Sequence, residues 1–202
     1  MPKVILNSLI NASNAQRLFA EKAVSILQQI VNHPSFQEEV SSWNYSTREF
    51  RNDSDDYEDF DNERIWAIIS GGKELYQPAN QEINLQCKFE RWDKYPKAVG
   101  EVIPPYPLIT TNIIWLDMFM SERDPLSLAA HWMHEWMHVA GFYHPEEEEL
   151  QWEDVAYSIG NIVVSVGRLI LGGDQKSAAP LTSGRGYEES AKLGICNVIT
   201  KR

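Results

Sequence analysis

The chain has 202 residues, 43% of them hydrophobic, enough to bury one full core with at most a short appendage. Its formal charge of -11, from 29 acidic and 18 basic residues, opposes the phosphate neutralisation on which nucleic-acid binding rests, so no nucleic-acid partner is expected. No apolar run reaches the roughly eighteen residues that a membrane span needs, and the most apolar segment, residues 159–171, is interrupted by Gly160, Asn161, Ser165, Gly167 and Arg168.

At the amino end Val4-Ile5-Leu6 reads as a first strand, and the apolar run is too short for a secretory signal. The expected location is cytoplasmic, or exported without a recognisable signal peptide. Asn11 to Asn14 offers a helix cap, and Leu18, Ala23, Ile26, Leu27, Ile30 and Val31 recur at helical spacing, which predicts a helix over 15–31 packed on a sheet. Pro34 and Ser35 interrupt it, and residues 36–43 read as a second short helix or an irregular turn.

Residues 51–63 are strongly acidic. They lack the glycine and the closing glutamate of a calcium-binding loop at the required spacing, so a solvated loop is expected, with calcium binding as the alternative. Residues 63–70 read as a short helix or strand closed by Gly71-Gly72. Next, Ile83, Leu85, Cys87 and Phe89 alternate with Asn84, Gln86, Lys88 and Glu90, the period of a half-buried strand over 82–92. After the prolines at 104, 105 and 107, residues 108–119 are rich in strand formers. Cys87 and Cys196 match no metal-ligand spacing, and stand either as one disulfide joining tail to body or as two free thiols.

Asp124 and Pro125, a cap followed by a first-turn proline, open a predicted helix that runs through Leu126, Leu128, Ala129, Met133 and Met137 to Gly141. Four of the chain's 5 histidines lie in or just beyond its carboxyl half: His131, His134, His138 and His144. His134 and His138, four residues apart on a helix, stand one above the other and can grip one metal ion. Glu135 is placed beside the first of them. Gly141 tolerates the left-handed backbone that ends a helix and turns the chain, so His144 can complete a three-histidine site with a fourth position open.

The run His134-Glu135-x-x-His138-x-x-Gly141-x-x-His144 resembles the signature of the metzincin clan of zinc metallopeptidases, with every fixed position filled. The resemblance covers about a dozen residues, and it implies that His134, His138 and His144 bind Zn2+ and that Glu135 is the general base. It implies hydrolysis of peptide bonds in a peptide or protein substrate by a zinc-activated water. The implied fold is α+β and zincin-like: a small mixed sheet packed on an active-site helix and a backing helix, over residues 1–172, with 173–202 as a carboxyl-terminal loop and tail. It further implies a strand between about Ile103 and Phe119 running along the cleft, where an extended substrate adds to its edge; a plain core strand is the alternative.

The family's methionine turn beneath the metal has no counterpart, because no Met follows Met137. Tyr157 is the next candidate for the site, either as a catalytic hydroxyl that stabilises an oxyanion or as a packing ring. His131 is an alternative ligand, a proton relay or a packing histidine. Asp154 is either a replacement ligand, as is Glu153, or an acceptor for a ligand histidine. Glu146 to Glu149 form a solvated acidic rim that would favour basic substrates. Residues 155–171 predict a buried helix behind the zinc helix. Two further functions stay open: a catalytically silent zincin-fold zinc-binding module, and a non-peptidase zinc hydrolase.

Overall fold

The computed structural model describes residues 1–51, 57–103, 105–145 and 154–172. Its architecture is α+β. A four-stranded sheet is built from β1 (Lys3–Ile10), β4 (Glu82–Glu90), β5 (Gly100–Val102) and β6 (Leu108–Asn112), in the spatial order β1-β4-β6-β5. The first three strands are parallel and β5 runs antiparallel to β6. The alternation in β4 is as expected: Ile83, Leu85, Cys87 and Phe89 are fully buried and the residues between them partly exposed.

The first helix, α1 (Asn14–Val31), starts at a capping box in which Ser13 accepts from the Gln16 amide and the Gln16 side chain reaches back to the Ser13 amide. It packs on β1, as its apolar stripe requires, and on the helix that carries the histidines. Pro34 does more than interrupt: it occupies the first turn of α2 (Pro34–Ser42), capped by His33. Residues 63–70 lie in α3 (Asn62–Gly71), capped by Asp61.

Part of the acidic segment falls outside the described residues, and with it the calcium alternative. Its flanks are ordered as a two-stranded antiparallel hairpin, β2 (Glu49–Arg51) with β3 (Tyr57–Asp59), where a solvated loop was expected. Phe50 and Phe60 stack at 4.3 Å beneath that hairpin, which supplies the burial the composition of the acidic run conceals.

The stretch 108–119 is not one strand. It splits at Asn112 into β6 and the helix α4 (Ile113–Ser121). The Asn112 side-chain oxygen caps the helix at the Ile114 amide (3.1 Å), while its amide group donates to the Ala98 carbonyl (3.0 Å), so one residue ends the strand and starts the helix. β6 also lies inside the sheet, between β4 and β5, with both edges used. It is therefore the core strand, and the edge position belongs to β5, just before the range expected.

The histidine helix, α5 (Pro125–Ala140), is central and buried, in contact with β4, β5 and β6 of the sheet and with α1 and α6 (Val155–Leu171). α6 is the backing helix. No helix among the described residues is long and apolar enough to cross a membrane. The 173–202 segment, Cys196, Glu153 and the Glu146–Glu149 rim lie outside the described residues, so the disulfide alternative does too. Cys87 is buried in β4.

Candidate metal centre

The position of α5 follows from how it is tied down. Asp124 accepts from the Ser127 amide at 3.1 Å and from its hydroxyl at 2.5 Å, fixing the start. Two indoles fasten the middle: Trp132 Nε1 donates to Thr111 Oγ1 of β6 (3.1 Å), and Trp136 Nε1 to the buried carboxylate of Glu74 (3.2 Å). The same Glu74 oxygen accepts from the Asn84 amide of β4 at 3.2 Å. With this rotation fixed, the helical period places His131, His134, Glu135 and His138 within an arc of roughly 100°.

Gly141 ends the helix with φ 113°, a backbone that a Cβ disfavours. Its amide reaches the His138 carbonyl at 3.1 Å, and that of Phe142 reaches Met137 at 2.9 Å, the paired bonds of a Schellman turn. Phe142 is fully buried, 5.1 Å from the Phe50 ring and 6.1 Å from Phe60, and bridges to the β2–β3 hairpin at Phe50. The turn swings His144 back over the helix. One ligand atom from each of His134, His138 and His144 then lies within 4.8 Å of the others.

The hydrogen bonds decide which nitrogens face that common point. His138 Nδ1 is 2.7 Å from the Phe142 carbonyl, which can only accept, so the neutral ring carries its proton there and keeps a lone pair on Nε2. His144 Nδ1 lies 2.5 Å from Asp154 Oδ2, which leaves Nε2 as that ring's lone pair. His144 Nε2 and both ring nitrogens of His134 are buried with no hydrogen-bond partner. An orphaned buried polar atom costs about 1–3 kcal/mol, and a metal ion at the common point would satisfy His144 Nε2 and one of the two His134 nitrogens together. The donor set fits a divalent transition metal, for which neutral imidazoles are suited ligands.

Electrostatics point the same way. Burial, with the neighbouring His144 ring adding to it, lowers the His138 pKa to about 3 against the pull of the Phe142 carbonyl. Burial holds His134 well below the ordinary histidine value, reinforced by His138, His144 and His131. The Ala156 carbonyl, near the ring but outside hydrogen-bonding geometry, acts the other way. The His134 and His138 rings are thus neutral at pH 7, the form that ligates. Asp154 is pushed up by burial, opposed by His144 and by the Tyr157 and Ala156 amides.

The sequence-derived residues are therefore brought together. Tyr157 is 2% exposed, with its ring stacked on His144 at 4.8 Å and edge-on to His134 at 4.6 Å. Asp154 is an acceptor for the His144 ring. It also caps α6 at the Tyr157 amide (2.9 Å), so one carboxylate positions both His144 and Tyr157. His131 stands outside the triad, against Thr111 and Glu135. Phe142, Thr111 and Glu74 were missed: the first acts through its carbonyl, which no residue type signals, and the others make contacts distant in sequence. Compared with known proteins, the chain matches no family model, no curated protein and no solved structure.

Proposed function

We propose that this chain is a zinc-dependent metallopeptidase of metzincin type, hydrolysing peptide bonds with Glu135 as general base. The observation that carries the reading is the convergence of His134, His138 and His144 on one point, with Glu135 on the same arc of α5. A small mixed sheet, a central helix and a backing helix are compatible with a zincin-like arrangement.

Zinc held by three neutral imidazoles supplies a Lewis acid that acidifies water and polarises a scissile carbonyl. His138 and His144 present their Nε2 lone pairs because Phe142 and Asp154 hold their Nδ1 protons. Glu135 takes a proton from the attacking water on a carboxylate oxygen and returns it to the leaving amine. Tyr157, ring against two of the ligands, supplies the hydroxyl for the developing oxyanion. β5, the edge strand next to α5, is where an extended peptide adds by backbone pairing.

The test is elemental analysis together with a fluorogenic peptide library on the wild type and Glu135→Ala. One equivalent of zinc in both, with cleavage lost only in the variant, is expected; full activity in the variant refutes the assignment. In Tyr157→Phe the ring packing is kept, so unchanged turnover would assign Tyr157 to packing alone.

One observation favours a second reading. Glu135 is 0% exposed, which suits a closed zinc site in a module that hydrolyses nothing. Zinc retained with no peptide cleaved supports that module, and cleavage of small esters alone supports a non-peptidase hydrolase.

A further inference from the structure

We propose that His131 is a positioning residue for Glu135: its ring, fixed as the Nδ1–H tautomer by Thr111, holds the Glu135 carboxylate in place. The role in turnover rests on the reading of Glu135 as general base; the tautomer and the pairing do not.

His131 lies one turn before Glu135 on α5, with Nδ1 3.5 Å from Glu135 Oε1. On its other side, Nε2 is 3.2 Å from Thr111 Oγ1. That hydroxyl already accepts from Trp132 Nε1 at 3.1 Å, and an indole N–H can only donate. The hydroxyl also has a proton of its own to place, and among the described residues His131 Nε2 is the one acceptor in reach of it, so Thr111 donates there. A neutral ring that accepts at Nε2 carries its proton on Nδ1, facing the carboxylate. The opposite tautomer would set a lone pair against the carboxylate in a place where His131 is 5% and Glu135 0% exposed. Burial keeps the ring neutral, lowering its pKa to about 3.

The ring is packed closely on β5. A Cβ on Gly100 of β5 would overlap its Cε1 and Nε2 atoms, so β5 is pressed against the imidazole and glycine is required there. This fixes His131 away from the histidine triad and assigns it to the carboxylate. Carboxylate contacts at such sites are commonly long before substrate binds, and 3.5 Å is in keeping with that.

The test has two arms. In full-length, zinc-loaded protein labelled with 15N-histidine, long-range 1H–15N spectra report the His131 tautomer, with the resonance assigned by its loss in His131→Asn. Nδ1–H is expected in the wild type, and a shift toward Nε2–H in Thr111→Val. Nε2–H in the wild type would overturn the inference.

The second arm compares His131→Asn, His131→Gln and His131→Leu in peptide hydrolysis at equal zinc content. The Asn amide nitrogen takes the place of Nδ1 and the Gln amide nitrogen that of Nε2. We expect kcat to fall about 10- to 100-fold in the Leu and Gln variants with KM unchanged, and to be largely restored in the Asn variant, the range usual for groups that orient a reacting residue. Equal kcat in all three would overturn the positioning role. An Nδ1–H wild type that cleaves no peptide would sink the peptidase reading and leave the His131–Glu135 pairing standing.

Discussion

Asp154 Oδ2 lies 2.5 Å from His144 Nδ1, while its other oxygen accepts the Tyr157 amide at 2.9 Å, so one carboxylate orients the His144 ring and begins the helix behind it. The two duties separate in Asp154→Asn. Asparagine caps a helix about as well as aspartate, but its amide group would face the His144 N–H donor to donor and favour the tautomer whose Nε2 is protonated. We expect zinc affinity to fall about 10- to 100-fold, while the stability of the metal-free chain changes little. Asp154→Ala should lose affinity and also about 1 kcal/mol of stability with the cap. Competition with a chromogenic chelator and denaturant titration read the two effects; unchanged zinc affinity in Asp154→Asn would mean that capping is the only role.

The turn after α5 carries a similar double load. Phe142 buries its ring beside Phe50 and Phe60 and turns its carbonyl to His138. Phe142→Leu keeps part of the core contact, whereas Phe142→Ala should cost roughly 3–5 kcal/mol by opening a cavity. Because the carbonyl is held by that packing, we expect the Ala variant to bind zinc more weakly even where it remains folded. Gly141→Ala, with a backbone φ of 113°, should cost about 1–2 kcal/mol through backbone strain alone. Urea midpoints with and without zinc separate these effects, and a Gly141→Ala variant as stable as wild type would contradict the turn.

Metal removal should be felt by the whole domain, since the triad joins α5, the turn and, through Asp154 and Tyr157, α6. Ligand bound only to the folded state stabilises by mass action, about 2.7 kcal/mol at a free concentration a hundredfold above Kd. Zinc should therefore raise the Tm of the wild type, and a chelator should lower it. His138→Ala should lose both responses. A Tm that ignores zinc in the wild type would count against a metal site.

The histidine cluster was legible because its geometry is local. Two residues four apart on a helix meet whatever surrounds them, and Gly141 marks the turn that returns His144. The helices with caps, α1 and α5, and the alternating strand β4 were readable for the same reason. Long-range partners were not: Thr111 lies in a strand whose contact with α5 is set only by packing, and the Phe142 carbonyl is a backbone group. The strand expected over 108–119 failed at Asn112, where one side chain's capping bond outweighed the strand preference of Ile113, Ile114 and Trp115. The hairpin around the acidic segment escaped because strands of three residues are too short to show a period.

Acid should unfold the metal-free chain earlier than carboxylate titration alone would. His131 and His138 fall from an unfolded value of 6.5 to about 3 when folded, and His134 is lowered well below 6.5 too, each chiefly by burial. Between pH 6.5 and about 3 the unfolded state binds these protons and the folded state does not, so their stabilisation is complete above 6.5 and is lost as pH falls. Each contributes roughly 1 kcal/mol per pH unit across that window, and the three together a few kcal/mol per unit. Asp154 and Glu101, raised above their unfolded 3.8 and 4.5, act oppositely at the acid end, two groups against three. We expect Tm to drop steeply from pH 6.5 to 5 by circular dichroism, where ordinary aspartates and glutamates are still largely ionised. His131→Asn, which removes one titrating ring, should shallow that slope by about a third. A Tm that is flat between pH 7 and 5 would mean the histidines take up protons as readily in the folded chain as in the unfolded one, contrary to their burial as neutral rings.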